Sequence, residues 1–301
     1  MSTFAASSLF QLAGAVCVVT GGGTGIGLMA SKALAAAGAR VYITGRRAEV
    51  LERASSTHSQ GLPGSLVPFA CDVTKRDELL RLVAEVKDKE GKVHVLINNA
   101  GVEGPCTKLD PEAKKKMSAE ELSQVHLDSE SMDAWSQTFA LNNHALWFAS
   151  MAFLPLLSAG NEAPPTQYGS KAAWKSTIIN ITSISGLVKT AQNHYAYNSS
   201  KAAANHLTSM LAHELSFSAD LGLRVNALAP GLFPSEMTAG TASANGETDE
   251  SAVTGHANPA GRTGTKEEMA SAILFLATNT FVTGTVLPID GGFTSAVACT
   301  R

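Results

Sequence analysis

Two side chains in the sequence are spaced to move a proton together. Tyr197 and Lys201 lie four residues apart, which places both on one face of a helix. A free tyrosine titrates near a pH of about 10, and a neighbouring ammonium group stabilises the phenolate and lowers that pKa. The pair therefore suits general acid and base chemistry near neutral pH, although such a spacing also arises by chance.

A serine upstream of this pair is placed to assist it. Residues 177–181 form a β-branched run that predicts a strand, and Ser183 follows where that strand turns. Ligands of α/β proteins bind at the carboxyl ends of the strands. We expect the Ser183 hydroxyl to hydrogen-bond a substrate oxygen on which negative charge develops, and Ser185 in the same turn to be structural.

A glycine-rich turn joins the first predicted strand to a helix. Residues 20–27 have the sequence Thr-Gly-Gly-Gly-Thr-Gly-Ile-Gly. Gly21 permits a tight turn, Gly25 lets the backbone approach phosphates, and Gly27 allows close packing of the helix on the sheet. The alternative is a generic turn between a strand and a helix. The spacing of the three glycines favours a dinucleotide site.

The end of the second strand distinguishes the two nicotinamide dinucleotides. An acidic residue there accepts from the ribose hydroxyls of NAD, whereas this sequence has Thr-Gly-Arg-Arg at 44–47. Arg46 can form forked hydrogen bonds to a 2′-phosphate, and Gly45 leaves room for it, so NADP is favoured. The alternative is that both arginines are solvated at the start of a surface helix, and we expect this for Arg47. Asp72 either accepts from the adenine amino group or only begins a turn.

Short β-branched runs alternate with helical periodicity along most of the chain. This pattern predicts an α/β fold, a single doubly wound Rossmann domain over residues 1–301, with a parallel sheet of about seven strands and helices on both faces. A capping-box pattern at 74–77 predicts that a helix begins there. The strands are predicted at 15–20, 41–44, 65–70, 93–97, 177–181, 223–228 and 285–287.

Three segments interrupt this alternation. Residues 102–131 are polar, with three consecutive lysines, and predict a solvated surface insert. Residues from about 232 to 260 are predicted to be a mobile substrate lid, because 239–260 are rich in Gly, Ala, Ser and Thr. Residues 160–175 are expected only to lengthen a loop. The apolar run 145–157, which contains Pro155, predicts a buried helix or a subunit interface.

The composition excludes several classes of function. A formal charge of −3 and a pI near 6.2 give no basic field for nucleic acid or an anionic membrane. No stretch predicts a secretory leader or a membrane span. The four cysteines show neither CxxC pairs nor zinc-ligand spacing, so we expect no metal and a reduced, cytoplasmic protein. A small-molecule substrate fits best.

These motifs resemble those of the short-chain dehydrogenase/reductase family over almost the whole chain. The residues that carry the resemblance, in the family's order, are the TGxxxGxG loop at 20–27, the NNAG motif at 98–101, the helix 135–142 with its active-site asparagine, Ser183, Tyr197, Lys201, Pro230-Gly231, Gly261-Arg262 and the Asp-Gly-Gly at 290–292. Residues 233–237 particularly resemble 3-oxoacyl and rhamnolipid-type reductases. The inserts after Gly101 and Gly160 are longer than is usual in the family.

The resemblance implies specific roles. Tyr197 would be the general acid in reduction and Lys201 would lower its pKa. Ser183 would polarise the carbonyl, Asn142 would hold a proton-relay water, and Leu232 and Ser235 would face the nicotinamide carboxamide. With the residues discussed above, the predicted site for NADP (NADPH) comprises Gly21, Thr24, Gly25, Ile26, Gly27, Arg46, Asp72, Asn99, Gly101, Tyr197, Lys201, Pro230, Gly231, Leu232 and Ser235.

The predicted activity is reduction of a ketone or 3-oxoacyl-like carbonyl on a fairly apolar molecule. The alternatives are an NAD-linked alcohol dehydrogenase and a non-catalytic NADP-binding sensor. An enoyl reductase is disfavoured, because family members of that kind typically space the tyrosine and lysine more widely. Family members usually form tetramers, so a homo-oligomer (tetramer or dimer) is expected, with the run 145–157 and the helix after Tyr197 as candidate interfaces.

Overall fold

One parallel sheet organises the structure. The computed structural model describes residues 4–166, 174–240, 243, 245–249, 251, 253 and 258–299. The strands are β1 (Val16–Thr20), β2 (Arg40–Gly45), β3 (Ser65–Ala70), β4 (Val95–Asn98), β5 (Thr177–Ile181), β6 (Arg224–Pro230) and β7 (Val286–Ile289). Their order across the sheet is β3-β2-β1-β4-β5-β6-β7, and every pairing is parallel. The predicted seven-stranded, doubly wound α/β fold is confirmed.

Helices cover both faces of the sheet. The described α-helices are α1 (Ala6–Leu9), α2 (Gly25–Ala36), α3 (Ala48–His58), α4 (Arg76–Glu90), α5 (Pro111–Lys114), α6 (Ala119–Ser129), α7 (Met132–Phe139), α8 (Ala145–Glu162), α9 (Tyr195–His213), α10 (Glu236–Ala239), α11 (Lys266–Thr278) and α12 (Phe293–Ala296). Residues of α2, α3 and α11 form the core on one face, and residues of α4, α8 and α9 form the core on the other. The strand order reverses between β1 and β4, which opens a crevice at their carboxyl ends.

Side chains along β1 alternate between the two cores, and helices cover the strand on both faces. Cys17 and Val19 face the core of α2 and α11, whereas Val16 and Val18 face the core of α4 and α8. Successive strand side chains point to opposite faces, so a strand covered on both sides is apolar throughout. This is why the β-branched runs located both ends of every strand to within two residues.

The predicted capping box at the start of the helix after β3 was wrong. Helix α4 begins at Arg76, and its N-cap residue Lys75 makes no side-chain cap. The Thr74 hydroxyl instead donates to Asp72 Oδ1 at 2.6 Å, and the Glu78 carboxylate accepts from the Asp72 amide at 2.8 Å. The acidic residue that accepts a backbone amide at the start of α4 is therefore Glu78, whereas the capping-box pattern predicted Asp77.

The segment 160–175 is not simply a longer loop. Helix α8 continues through Pro155 and ends at Glu162, so the first residues of this segment are helical. Residues 167–173 lie outside the described residues. Trp174 is fully buried, with its ring edge against His94 at 5.8 Å between centroids. In the described part of the chain, no helix is both long and apolar enough to cross a membrane.

Candidate active site

A cleft of about 760 Å³ lies along the carboxyl edge of the sheet. Loops from the ends of β1, β2, β3 and β4 meet there with the first turns of α9 and α10. The predicted site residues that line it are Gly21, Thr24, Gly25, Ile26, Gly27, Arg46, Asp72, Asn99, Gly101, Tyr197, Lys201 and Ser235. The fold therefore brings most of the predicted nucleotide site and two of the predicted catalytic residues into one cleft.

Five predicted residues lie beside this cleft rather than in its lining. Asn142 and Ser183 are buried at 3 % and 7 % exposure. Pro230 ends β6, and Gly231 packs so closely on Asp290 that a Cβ there would lie 2.8 Å from the Asp290 Cα. The Leu232 carbonyl accepts from the Gly264 amide at 2.9 Å. In this structure Gly231 and Leu232 fix the start of the 232–260 segment.

The glycine loop between β1 and α2 requires its glycines. Gly21 and Gly25 have φ values of +65° and +51°, a region that favours glycine. A Cβ at Gly27 would lie 2.1 Å from the Gly21 carbonyl oxygen, so only glycine allows α2 to begin this close to the turn. The start of α2 therefore lies at the cleft, where the helix dipole favours an anion.

Asn99 holds the glycine loop against β4. Its side-chain amide donates to the carbonyl oxygens of Thr20 and Gly21 at 2.9 and 3.1 Å. In return, Thr20 Oγ1 accepts from the amides of Asn99 and Ala100 at 2.9 and 3.0 Å. Because these bonds tie the ends of β1 and β4 together, Asn99 shapes the phosphate loop even without touching a ligand.

Tyr197 and Ser183 meet at the ends of α9 and β5. Tyr197 lies in the first turn of α9, close enough to Ser183 for that side chain to act on the pKa of its phenol. Burial raises the pKa of Tyr197, the Ser183 side chain lowers it, and the charge of Glu103 raises it further; the net direction is upward. Ser185 Oγ donates to Gln192 Oε1 at 2.8 Å, which agrees with the structural role expected for it.

Lys201 is buried beneath Tyr197. Its ammonium nitrogen lies 5.7 Å from the centre of the Tyr197 ring and donates to the Ile181 carbonyl at 3.0 Å. Burial lowers the pKa of Lys201 to about 8. The sequence predicted that Lys201 would lower the pKa of Tyr197, but in this arrangement desolvation of the phenol dominates and the shift is in the opposite direction.

Asn142 lies in a π-helical turn between α7 and α8, residues Ala140–His144. Its side chain accepts from the Val102 amide at 2.8 Å and donates to the Val102 carbonyl at 2.9 Å and to Ser200 Oγ at 3.0 Å. Turns of this type occur often at functional sites. The side chain of Asn142 thus fixes the chain just after Gly101 to the first turns of α9.

Arg47 is the functional candidate that the sequence prediction misjudged. It is not simply solvated, since its guanidinium group forms a forked pair with Glu236, at 2.8 Å from Nη2 to Oε2 and 3.2 Å from Nη1 to Oε1. Thr24 Oγ1 donates to the same Glu236 Oε2 at 3.1 Å. Because Glu236 lies 189 residues from Arg47 in the chain, no local pattern indicated this contact.

Arg46 and Asp72 also line the cleft. Arg46 is exposed at the cleft, and its charge acts on Asp72. Burial would raise the pKa of Asp72, but hydrogen bonds from Thr74 and the charges of Lys75 and Arg46 hold it below its usual range. Asp72 is therefore an anion that caps a turn, and it also lines the cleft.

The insert 102–131 contacts the start of α9. The Thr107 amide donates to the Asn193 carbonyl at 3.0 Å. The rings of His126 and Tyr195 meet edge to face, with centroids 5.3 Å apart. Glu103 Oε1 lies 3.3 Å from His194 Nε2, three residues before Tyr197. The insert therefore places a carboxylate whose charge acts on the Tyr197 phenol, which its polar composition did not reveal.

The fold and this cleft define a class. A doubly wound parallel sheet with a glycine turn at its switch point, and serine, tyrosine and lysine at the adjoining strand end, is the arrangement of a nicotinamide-dependent oxidoreductase.

Comparison with known proteins narrows the class to a family. A family model described as enoyl-(acyl carrier protein) reductase matches residues 21–294. The short-chain dehydrogenase/reductase PhomF of Diaporthe leptostromiformis is 38 % identical over 291 residues, covering 95 % of this chain and 94 % of that protein. The rhamnolipids biosynthesis 3-oxoacyl-[acyl-carrier-protein] reductase of Pseudomonas aeruginosa is 33 % identical over 290 residues, covering 94 % and 98 %. The chain belongs to the short-chain dehydrogenase/reductase family.

Solved structures agree with this assignment. The Pseudomonas aeruginosa RhlG/NADP active-site complex superposes with a TM-score of 0.73 at 32 % identity, covering 95 % of this chain and 98 % of that one. The NADPH-dependent 3-quinuclidinone reductase from Rhodotorula rubra gives a TM-score of 0.73 at 27 % identity, covering 98 % and 97 %.

Proposed function

We propose that this protein is an NADPH-dependent reductase that converts the carbonyl group of a fairly apolar small molecule to an alcohol. The observation that carries the proposal is the position of Tyr197, which lines the same cleft as the glycine loop and lies close enough to Ser183 to be affected by its side chain. Two hydroxyl groups so placed can both donate to one carbonyl oxygen.

The cleft fits a nicotinamide dinucleotide. Gly21, Gly25 and Gly27 line the cleft, so the backbone of the loop faces it at the start of α2, where the helix dipole favours a diphosphate. The residues that would hold the cofactor are the cleft-lining ones: Gly21, Thr24, Gly25, Ile26, Gly27, Arg46, Asp72, Asn99, Gly101, Tyr197, Lys201 and Ser235. When bound, the cofactor supplies the hydride.

NADP is the preferred form of the cofactor. The end of β2 carries no acidic side chain to repel a 2′-phosphate, and two guanidinium groups follow it. Around the Cβ position of Gly45 the nearest atom is Leu51 Cδ2 at 3.9 Å, which leaves space beside Arg46. Two of the similar solved structures are named for NADP or NADPH, which supports the same choice.

The residues of the chain supply the proton and stabilise the developing charge. The raised pKa keeps the Tyr197 phenol protonated at neutral pH, the form that a general acid needs. Ser183 donates a hydrogen bond to the same substrate oxygen as it gains charge. The buried ammonium group of Lys201 favours the phenolate that remains once Tyr197 has given up its proton. Asn142 positions the backbone of Val102 beside them; its role in holding a relay water stays a prediction.

The substrate class is assigned by analogy to relatives. The 3-oxoacyl reductase of Pseudomonas aeruginosa supports a 3-oxoacyl-like ketone, and the 3-quinuclidinone reductase supports a cyclic ketone. The description of the matching family model names enoyl substrates, whereas the four-residue spacing of Tyr197 and Lys201 favours carbonyl reduction. The 232–260 segment would close over such a substrate as a lid.

A panel of ketones, aldehydes and enoyl thioesters tests this proposal, with NADPH or NADH consumption followed by absorbance. We expect turnover of at least one ketone with NADPH, and a smaller kcat/KM with NADH. Preference for NADH with alcohol oxidation would instead identify an NAD-linked dehydrogenase. Binding of NADPH without turnover of any substrate would identify a sensor. Arg46→Ala should weaken NADPH binding and leave NADH binding unchanged.

We also propose that the protein forms a homo-oligomer, a tetramer or a dimer. Trp147 and Phe148 on α8 are 41 % and 48 % exposed, and Met210 on α9 is 55 % exposed. Large exposed apolar side chains on neighbouring helices are typical of association surfaces. Sedimentation velocity tests this: a monomer at micromolar concentration would contradict it, and Phe148→Asp should dissociate the assembly.

A further inference from the structure

Glu236 lies in a place where a carboxylate is unexpected. It is the first residue of α10 and lies at the cleft edge beside the glycine loop and Arg47. The preceding residue, Ser235, is fixed by a capping box with Thr238, and its Cβ lies 3.0 Å from the Cβ position of Gly25. The backbone that carries Glu236 is therefore held close to the phosphate loop, on the side where an anionic ligand would bind.

The carboxylate of Glu236 uses donors that would serve a phosphate. It accepts two hydrogen bonds from Arg47 and one from Thr24, and both of these residues line the cleft. The bond from Arg47 holds the pKa of Glu236 below its usual range, so the group is ionised at neutral pH. Forked guanidinium bonds are the geometry by which arginine binds either a carboxylate or a phosphate.

A second acidic residue of the 232–260 segment forms an ion pair that involves neither Arg46 nor Arg47. Glu247 pairs with Lys32 on α2, and the neighbouring Gly246 carbonyl accepts from the Gly25 amide at 3.3 Å. Lys32 is not among the residues that line the cleft. Among the described residues of the 232–260 segment, Glu236 and Glu247 both pair with cations of the nucleotide half of the fold, and of these two carboxylates Glu236 is the one that pairs with a cleft-lining arginine.

We propose that Glu236 is a specificity-determining residue that competes internally with the cofactor for Arg47 and Thr24. This inference rests on the proposed NADPH dependence. The 2′-phosphate of NADPH must displace Glu236 from Arg47 before it gains that guanidinium group. NADH carries no 2′-phosphate and leaves the Arg47 pair in place. Glu236 therefore weakens NADPH binding more than NADH binding, and sets how strongly the protein distinguishes the two.

Dissociation constants of the full chain for NADPH and NADH, from isothermal titration at fixed ionic strength, test the inference. Glu236→Gln keeps the size of the side chain and removes its charge. We expect it to tighten NADPH binding roughly three- to tenfold, as suits a partly exposed ion pair, and NADH binding less than about twofold. Glu247→Gln is the matched control, since it breaks the other acidic contact of the segment, and should change neither constant by more than about twofold.

A double-mutant cycle separates competition from general loosening. If Glu236 acts through Arg47, Glu236→Gln should have little effect on NADPH binding in an Arg47→Ala background. Weaker NADPH binding by Glu236→Gln, equal tightening for both cofactors, or an equal effect of Glu247→Gln would each overturn the inference. If the wild-type protein binds NADPH no more tightly than NADH, the proposed cofactor itself is wrong. The wild type therefore tests the proposed cofactor, and the variants test the role of Glu236.

Discussion

The ammonium nitrogen of Lys201 lies 5.7 Å from the centre of the Tyr197 ring, and both groups have pKa values shifted by burial. The shift is upward for the phenol and downward, to about 8, for the ammonium group, because loss of water disfavours the charged form of each. Burial thus keeps the proton on Tyr197, and it also makes the protonated form of Lys201 costly for the fold.

That cost predicts a pH dependence of stability. The folded-state pKa of Lys201, about 8, lies below its ordinary value of 10.5, so between these values the unfolded chain binds more protons and stability rises with pH. Below a pH of about 8 the cost is fully present, roughly 3 kcal/mol at about 1.4 kcal/mol per pKa unit. Lys201→Met removes it, although the bond to Ile181 is also lost.

Urea unfolding of the wild type and of Lys201→Met at several pH values checks this prediction. The wild type should gain stability relative to the variant between pH 8 and 10.5, whatever other groups titrate in both proteins. A difference between the two proteins that stays constant over this range would show that Lys201 does not carry the cost.

Glu103 should raise the pH above which alcohol oxidation becomes efficient. Burial is the main cause of the raised pKa of Tyr197, and the negative charge of Glu103 adds to it. Oxidation needs the phenolate as base, so Glu103→Gln should move the rising limb of kcat/KM to lower pH.

The pH profile of alcohol oxidation with NADP⁺ measures that shift. Glu112→Gln is the matched control, because Glu112 lies in the same insert but pairs with the exposed Lys115. An unchanged profile in Glu103→Gln, or an equal shift in both variants, would contradict a direct effect on Tyr197. If Glu103→Gln loses turnover and the rising limb of its pH profile does not shift, Glu103 stabilises the packing of the insert and does not act on the pKa of Tyr197.

Gly27 and Gly45 differ in the space around them, and substitution should show it. A Cβ at Gly27 would lie 2.1 Å from the Gly21 carbonyl, whereas one at Gly45 would meet only Leu51 at 3.9 Å. Gly27→Ala should lower the free energy of unfolding by about 3 kcal/mol or more and abolish cofactor binding. Gly45→Ala should cost less than about 1 kcal/mol. Equal losses, measured by urea unfolding, would show that the loop rearranges.

The sequence predicted the sheet well because buried parallel strands are apolar on both faces. Residues of β3 and β5 lie where their β-branched runs placed them, and the glycine turn is where the spacing indicated. Chain order and the right-handed crossover rule then bring the strand ends, with Ser183 and Tyr197, to one edge.

Contacts between residues distant in sequence could not be predicted in this way. The pairing of Arg47 with Glu236 depends on where the 232–260 segment lies, and the packing of Tyr195 on His126 depends on how the insert folds back. The raised pKa of Tyr197 follows from its burial, whereas its helical spacing from Lys201 predicts a lowered pKa.

The measurement that tests the account most directly is single-turnover reduction of a ketone by Tyr197→Phe with saturating NADPH. Removing the phenolic hydroxyl should lower the rate by roughly 10²- to 10⁴-fold, the usual contribution of a general acid, while NADPH binding stays within about threefold of wild type. Ser199→Ala on the same turn of α9 should retain its rate, since that hydroxyl bonds only to helix carbonyls of Tyr195 and Ala196. Wild-type turnover by Tyr197→Phe would contradict the assignment of Tyr197 as the proton donor.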